Sequence, residues 1–341
     1  MQAEGLESRF PMEELSVMGL AEILPKYRAL KARIRQMAEA ILADPPDVLI
    51  TIDSPDFCLR VARLIKAASN IRTVHYVAPT VWAWRPKRAE KMAQHIDHVL
   101  ALFPFEPPLM QAAGMDCDFV GHPVVAAPVA SDAAADALGA GTVVLVLPGS
   151  RKGEVSRLAD RFGEAAEKIA AAVPDAQFVI ATTRGVYDLV HARVAGWSVP
   201  VTVLPPGSPD KAAWFKRADV ALAASGTVSL ELAASGTPMV IAYDMAWLSR
   251  MIISRMLMVD TVTLVNLVSE TRVVPEFIGK DCEPGPIADA LLAVLADPKA
   301  QLGAMAVTME RLGQGGEAPG LRAARAVLDR LEKAPIKDHQ T

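Results

Sequence analysis

Cysteine is scarce. Cys58, Cys117 and Cys282 are odd in number, far apart, and show neither CxxC nor metal-ligand spacing. That excludes a disulfide framework and a thiolate metal centre, and the chain reads as reduced and cytoplasmic. A surplus of positive charge is missing too: 35 Lys and Arg against 39 Asp and Glu leave a formal net charge of -4. A nucleic-acid binder held by a global positive field is therefore disfavoured. Long apolar runs are also absent. The strongest, 245–259, is interrupted by Arg250 and Arg255, so no segment reads as a bilayer span. The first ten residues are polar and carry Glu4, Glu7 and Arg9, unlike a signal peptide. Membrane contact is expected only at the surface.

What is present is apolar and ordered. With 341 residues, 52% hydrophobic and 22% charged, the chain can bury about two cores. Residues 143–146 form a continuous, mostly β-branched apolar run, the mark of a strand covered on both faces. It feeds Leu147-Pro148-Gly149-Ser150-Arg151, after which Val155, Leu158, Phe162, Ala166 and Ile169 repeat at helical spacing. A strand, a Gly-Ser turn and a helix start suit a phosphate, with Arg151 as a planar cation for a diphosphate. An ordinary turn with a solvated Arg fits the same residues equally well.

From the N-terminus, the apolar segment 17–24 (Val17, Met18, Leu20, Ile23, Leu24) precedes Lys26, Arg28, Lys31, Arg33 and Arg35. Tyr27, Leu30, Ile34, Met37 and Ile41 then recur as the apolar stripe of a basic helix, best read as packed on a sheet. The segment before it suits an anionic membrane surface. Strands are expected at 48–52, 73–77 and 97–102, with a strand-to-loop passage at Phe119-Val120-Gly121-His122-Pro123. The Ala/Asp/Gly-rich stretch 126–141 reads as a linker. Further strands follow at 143–147, 177–181, 201–204, 220–224 and 239–243. This alternation predicts α/β architecture: two Rossmann-like parallel-sheet domains, 1–125 and 142–313, facing each other across a cleft. The tail 314–341 holds a helix that packs on either domain or on a partner chain, which leaves a homodimer open.

Ligand contacts in such folds lie on loops after the strands. Asp53 and Asp56 follow the first strand, and either suits a general base; a helix cap from Asp53 or Ser54 is the plainer reading. Ser225-Gly226-Thr227 opens a helix onto a phosphate, with Glu231 one turn on for ribose hydroxyls. Trp82 and Trp84 with Arg85, Lys87 and Arg88 form either a sugar and anion platform or a pair of core anchors. His122 reads as structural. Asn266 and Glu276 are placed in a loop region within reach of the cleft.

Taken together these stretches resemble the lipid-A-disaccharide synthase family, glycosyltransferases of the two-Rossmann GT-B type. The resemblance is collinear through 12–19, Ile52-Asp53-Ser54-Pro55-Asp56-Phe57, His75-Tyr76-Val77-Ala78-Pro79 and Val81-Trp82-Ala83-Trp84-Arg85. It continues through 119–123, 147–151, 224–227, Leu264-Val265-Asn266-Leu267 and Val274-Pro275-Glu276. It implies transfer from UDP-2,3-diacylglucosamine to 2,3-diacylglucosamine 1-phosphate with inversion, giving a β-1',6-linked disaccharide phosphate and UDP. It also implies Asp53 as base with Asp56 in support, and Arg151, Gly149, Ser150, Gly226, Thr227 and Asn266 around the departing UDP. Glu231 would hold the ribose, and neither metal nor other cofactor is implied. Lipid substrates imply a peripheral place on the inner membrane of a Gram-negative bacterium, through 17–24 and the Met-rich run 251–258. Two departures are visible. The family's opening strand and Gly-Glu-x-Ser-Gly-Asp loop are not among these residues, so the first sheet is expected to lack a central strand and turnover to be impaired. Val265 stands where the family has Pro. A UDP-sugar 2-epimerase-like isomerase and a non-catalytic UDP- or membrane-binding fragment are the alternatives.

Overall fold

The computed structural model describes residues 5, 7–10, 20–245 and 258–332, with the backbone alone over 20–27. Val17, Met18 and residues 251–257 of the Met-rich run lie outside the described residues, as do the side chains of Leu20, Ile23 and Leu24. The chain forms two compact units, Met1–Val120 with Gly320–Thr341, and Gly121–Pro319.

The first unit is built on a parallel sheet of β1 (Val48–Ile52), β2 (Arg72–Tyr76), β3 (His98–Ala101) and β4 (Asp116–Phe119), in that order. Helix α1 (Leu20–Ala43) lays Ile34, Met37, Ala38 and Ile41 against Val61 and Ile65 of α2 (Pro55–Ala68). Ile34, Met37 and Ile41 of the expected stripe therefore pack, against α2 with Leu49 of the sheet beside it, the Tyr27 side chain lies outside the described residues, and Arg28, Lys31 and Arg35 are exposed. β1 is an edge strand whose Ile50 and Ile52 are exposed. Helices α3 (Lys87–Ala93) and α4 (Pro107–Ala112) bring Met92 and Met110 into a core with Ala62, Val99 and Cys117.

The second unit carries a larger parallel sheet. Its strands are β5 (Val143–Leu147), β6 (Gln177–Ala181), β7 (Val201–Leu204), β8 (Val220–Ala223), β9 (Met239–Tyr243) and β10 (Glu276–Ile278), ordered β10-β9-β8-β5-β6-β7. Every residue of β5 is buried, as a central strand requires. A short helix, α5 (Asp132–Asp136), precedes β5, and α6 (Lys152–Ala172) follows it. Val155, Leu158, Phe162, Ala166 and Ile169 of α6 enter the same core as Phe178 and Ile180. Among the described residues the other α-helices of this unit are α7 (Tyr187–Val194), α8 (Lys211–Arg217), α9 (Val228–Ser235), α10 (Leu264–Ser269), α11 (Pro284–Ala296) and α12 (Lys299–Arg311).

Two readings change and one left open is decided. The stretch 126–141 is not a bare linker: Ser131 accepts the Ala134 N–H at 3.2 Å, capping α5, and Lys216 of α8 pairs with Asp132 at 3.2 Å. Asn266 and Glu276 are not in a loop, because Asn266 lies in α10 and Glu276 opens the edge strand β10. The tail helix, α13 (Pro319–Glu332), belongs with the first unit. Arg330 there grips Asp118 at 2.7 Å and Asp116 at 3.0 Å, while Arg322 donates to the Phe119 carbonyl at 2.8 Å. Among the described residues no single helix is long and apolar enough to cross a membrane.

Candidate active site

In the first unit, unusual backbone gathers after the strands. Asp53 (φ 47), Ser54 (φ 42), Val77 (φ 81) and Arg85 (φ 53) are four of the five non-glycine residues with positive φ among the described residues. For a β-branched residue such as Val77 this is a genuine outlier, and such strain persists only where the surroundings fix it. The Asp53 N–H donates to the Tyr76 carbonyl at 3.0 Å and the Val77 N–H to Leu100 at 3.1 Å, so each turn is tied to the next strand. Ser54 is the N-cap of α2 by backbone only; neither it nor Asp53 gives a side-chain cap. The capping reading thus falls, and the Asp53 and Asp56 carboxylates both face solvent at the sheet's carboxyl end. Below them His75 is buried, with Nδ1 2.8 Å from the Thr51 hydroxyl. Burial pushes its pKa down to about 4, so it is neutral at physiological pH.

The Trp loop divides into anchor and tip. Trp82 packs edge-on against Phe103 and Phe105, with ring centroids 6.3 and 5.4 Å away, and its indole N–H reaches Glu106 at 3.3 Å. Trp84 donates to the Thr80 hydroxyl at 3.0 Å, and the exposed Arg85 guanidinium lies 4.3 Å from its ring centre. Trp82 is thus a core anchor, and the cation is displayed by its neighbours.

In the second unit, β5 and β8 are neighbours, so the turns 148–151 and 225–227 stand side by side at the carboxyl end. The first turn folds around a residue that sequence reasoning missed. Glu154, buried in the first turn of α6, accepts the N–H groups of Ser150 (3.1 Å) and Arg151 (3.3 Å) on Oε2. Its Oε1 takes the Arg151 guanidinium at 2.7 Å. Gly149 is obligatory here: its φ is +114, and a Cβ would lie 2.6 Å from Glu154 Cβ and Oε2. The two backbone donors expected to meet a phosphate are therefore engaged internally. Arg151 keeps its side chain 55% exposed. The one available signal was the capping-box spacing of Glu154, three residues after the N-cap.

Ser225 is half-buried, while Gly226 and Thr227 are exposed at the α9 N-terminus. Glu231 is paired with Lys211 at 2.7 Å. Asn266 is 1% exposed, and its amide is used up: it bonds the Val274 carbonyl (2.9 Å), the Val274 N–H (3.0 Å) and Thr261 (3.3 Å). Glu276 Oε1 gathers the Thr261 hydroxyl (2.7 Å) and the N–H groups of Val262 (3.0 Å) and Thr263 (2.6 Å). Both residues shape the approach to α10. His122 accepts the Val124 N–H at 3.1 Å, and burial pushes its pKa down to about 4, as a structural imidazole.

The family model described as lipid-A-disaccharide synthetase matches residues 1–322. A lipid-A-disaccharide synthase of Ruegeria pomeroyi is 63% identical over 97% of this chain and 86% of its own length. The chain belongs to the lipid-A-disaccharide synthase family. A second member, from Rhodospirillum centenum, is 44% identical over 100% of this chain and 87% of its own. As a member of this family the chain is a glycosyltransferase. Its fold is the GT-B type, which also occurs in the UDP-GlcNAc 2-epimerase of Neisseria meningitidis solved with UDP-GlcNAc. That structure superposes with a TM-score of 0.61 over 92% of this chain and 82% of its own, at 13% identity. At that identity the similarity is one of fold, and the isomerase alternative rests on nothing more.

Proposed function

We propose that the chain transfers 2,3-diacylglucosamine from UDP to the 6-hydroxyl of 2,3-diacylglucosamine 1-phosphate, with Asp53 as general base. The family match over residues 1–322 carries the reaction, and the unspent, exposed Asp53 on its strained turn supports the base. Asp53 takes the hydroxyl proton as the acceptor oxygen attacks the anomeric carbon. The bond to UDP breaks on the opposite face, so a single displacement inverts the centre. Asp56, three residues on and likewise exposed, stands in support of the base.

Charge grows on the leaving diphosphate, and stabilising it is the second requirement. Arg151 supplies a fixed guanidinium, steadied by Glu154 and still exposed. The exposed start of α9 at Gly226 and Thr227 adds N–H donors and the positive helix end. Gly149 and Ser150 hold the turn rather than the phosphate, and Ser225 leads into the α9 start. Asn266 acts through its grip on Val274. Glu276 retains Oε2 for a ligand, and Glu231 reaches a ribose only by sharing Lys211. In the first unit Arg85 is assigned to the acceptor phosphate, with Trp82 anchoring its loop.

Acylated substrates place the enzyme at a membrane. The apolar segment 17–24 and the exposed cations Arg28, Lys31 and Arg35 support peripheral binding to an anionic bilayer, and the Met-rich run 251–258 is assigned to lipid. The test is UDP release in detergent with both acylated sugars, then without the acceptor. Acceptor-dependent release is expected; release that ignores the acceptor would remove the transferase assignment.

A further inference from the structure

Glu106, between β3 and α4, is 2% exposed and takes no part in the chemistry above. Its Oε2 accepts the N–H groups of Leu102 (3.0 Å) and Phe103 (2.9 Å), folding the turn after β3 around the carboxylate. Its Oε1 takes the Trp82 indole N–H at 3.3 Å, crossing to the loop after β2. A buried carboxylate held by N–H donors alone, without a cation, is costly to keep, whereas an apolar side chain would fill the space freely. What the carboxylate adds is a double acceptor that ties two loops at the carboxyl end of one sheet. Three residues past Trp82 the chain reaches Arg85, in a left-handed conformation that needs a fixed frame.

We propose that Glu106 is a positioning residue for the glycosyl transfer: it latches the loop at Trp82 and so sets Arg85 against the acceptor's phosphate. The proposal rests on reading Arg85 as the acceptor-phosphate contact. Burial pushes the Glu106 acid up to about 7, against the pull of its three donors, so its charge changes in the neutral range. The ionisable neighbour that feels this charge is Cys117 on β4, itself pushed up to about 12 by burial and therefore uncharged throughout; Asp118 and Arg330 act on that thiol from β4 and α13. Losing the charge weakens the acceptor of the indole N–H. A Gln side chain would keep one oxygen for Leu102 and Phe103 but turn an NH2 toward the indole, donor against donor.

The experiment follows the Trp82 indole N–H resonance of the full chain through the neutral range, assigned by its loss in Trp82→Phe, alongside KM for each substrate. The resonance is expected to titrate near 7 in the unsubstituted chain and to stay flat in Glu106→Gln. Acceptor KM is expected to rise about tenfold in Glu106→Gln, with donor KM within about twofold. In the unsubstituted chain acceptor KM should rise as pH falls through neutrality. A resonance that does not titrate, or equal rises in both KM values, would overturn the latch. Arg85→Ala separates the two claims. An unchanged acceptor KM there removes Arg85 from the acceptor site; a raised one beside an unaltered Glu106→Gln removes the latch alone.

Discussion

In the proposed reaction Asp53 and Arg151 serve different halves of the chemistry, so their substitutions should fail differently. Asp53→Ala removes the proton acceptor but no donor-sugar contact. Turnover should fall on the order of 10²–10⁴-fold, while UDP-sugar affinity by calorimetry stays within about twofold; lost affinity would make Asp53 structural. Arg151→Ala removes transition-state stabilisation and should lower kcat by about 10²–10³-fold, and a near-normal rate would take it out of the diphosphate site. Gly149→Ala tests the turn itself. Its Cβ would collide with Glu154 at 2.6 Å in a left-handed conformation, so denaturant unfolding should show a loss of about 1–3 kcal/mol. An unchanged midpoint would mean that Glu154 yields without cost.

Helix α13 is the element whose attachment rests most on charge. Arg330 bridges Asp116 and Asp118 of β4, and Asp118 also meets His98 at 2.8 Å. Burial alone would raise the Asp118 acid, but the Arg330 hydrogen bonds and charge, with His98, hold it below the usual carboxylate range. A depressed carboxylate stabilises the fold above its unfolded pKa and stops doing so as pH falls through the folded one. Amide protection factors across 319–332 should therefore fall in acid and in Arg330→Met, ahead of those in β5; parallel loss in both would mean that the helix has no independent docking. Elements differ in how well the sequence announces them. The runs 48–52, 143–147, 177–181 and 239–243 are strands at the residues expected, because short apolar runs rich in β-branched residues leave little ambiguity, whether covered on both faces as β5 is or set at a sheet edge as β1 is. β10 was not legible: three residues, Glu276-Phe277-Ile278, after a proline show neither alternation nor length. Helix α5 hid in a composition shared with linkers. Glu106 and Glu154 were invisible as organisers because their partners are backbone N–H groups brought near by the turns they hold.

At the scale of the whole molecule, the proposed roles divide between two parallel-sheet units: the base and the acceptor-side cation belong to the first in this proposal, the contacts to the diphosphate to the second. Stability should carry the mark of Glu106. Its folded pKa of about 7 lies above the ordinary 4.5, so stability is greatest below 4.5 as far as this group decides and declines as pH rises toward 7. The span corresponds to a loss on the order of 3 kcal/mol, which Glu106→Gln should flatten in denaturant melts; an equally steep decline in the variant would place the cause elsewhere. Membrane binding should be electrostatic in part, so sedimentation with anionic vesicles should weaken with added salt. The central claim is a single displacement by an acceptor oxygen. The most direct measurement is the anomeric configuration and linkage of the product from both acylated sugars, read by NMR coupling constants. A β-linked disaccharide 1-phosphate joined at the acceptor's 6-position is the result this account predicts. An α-linked product, or a free epimerised sugar with no disaccharide, would contradict it.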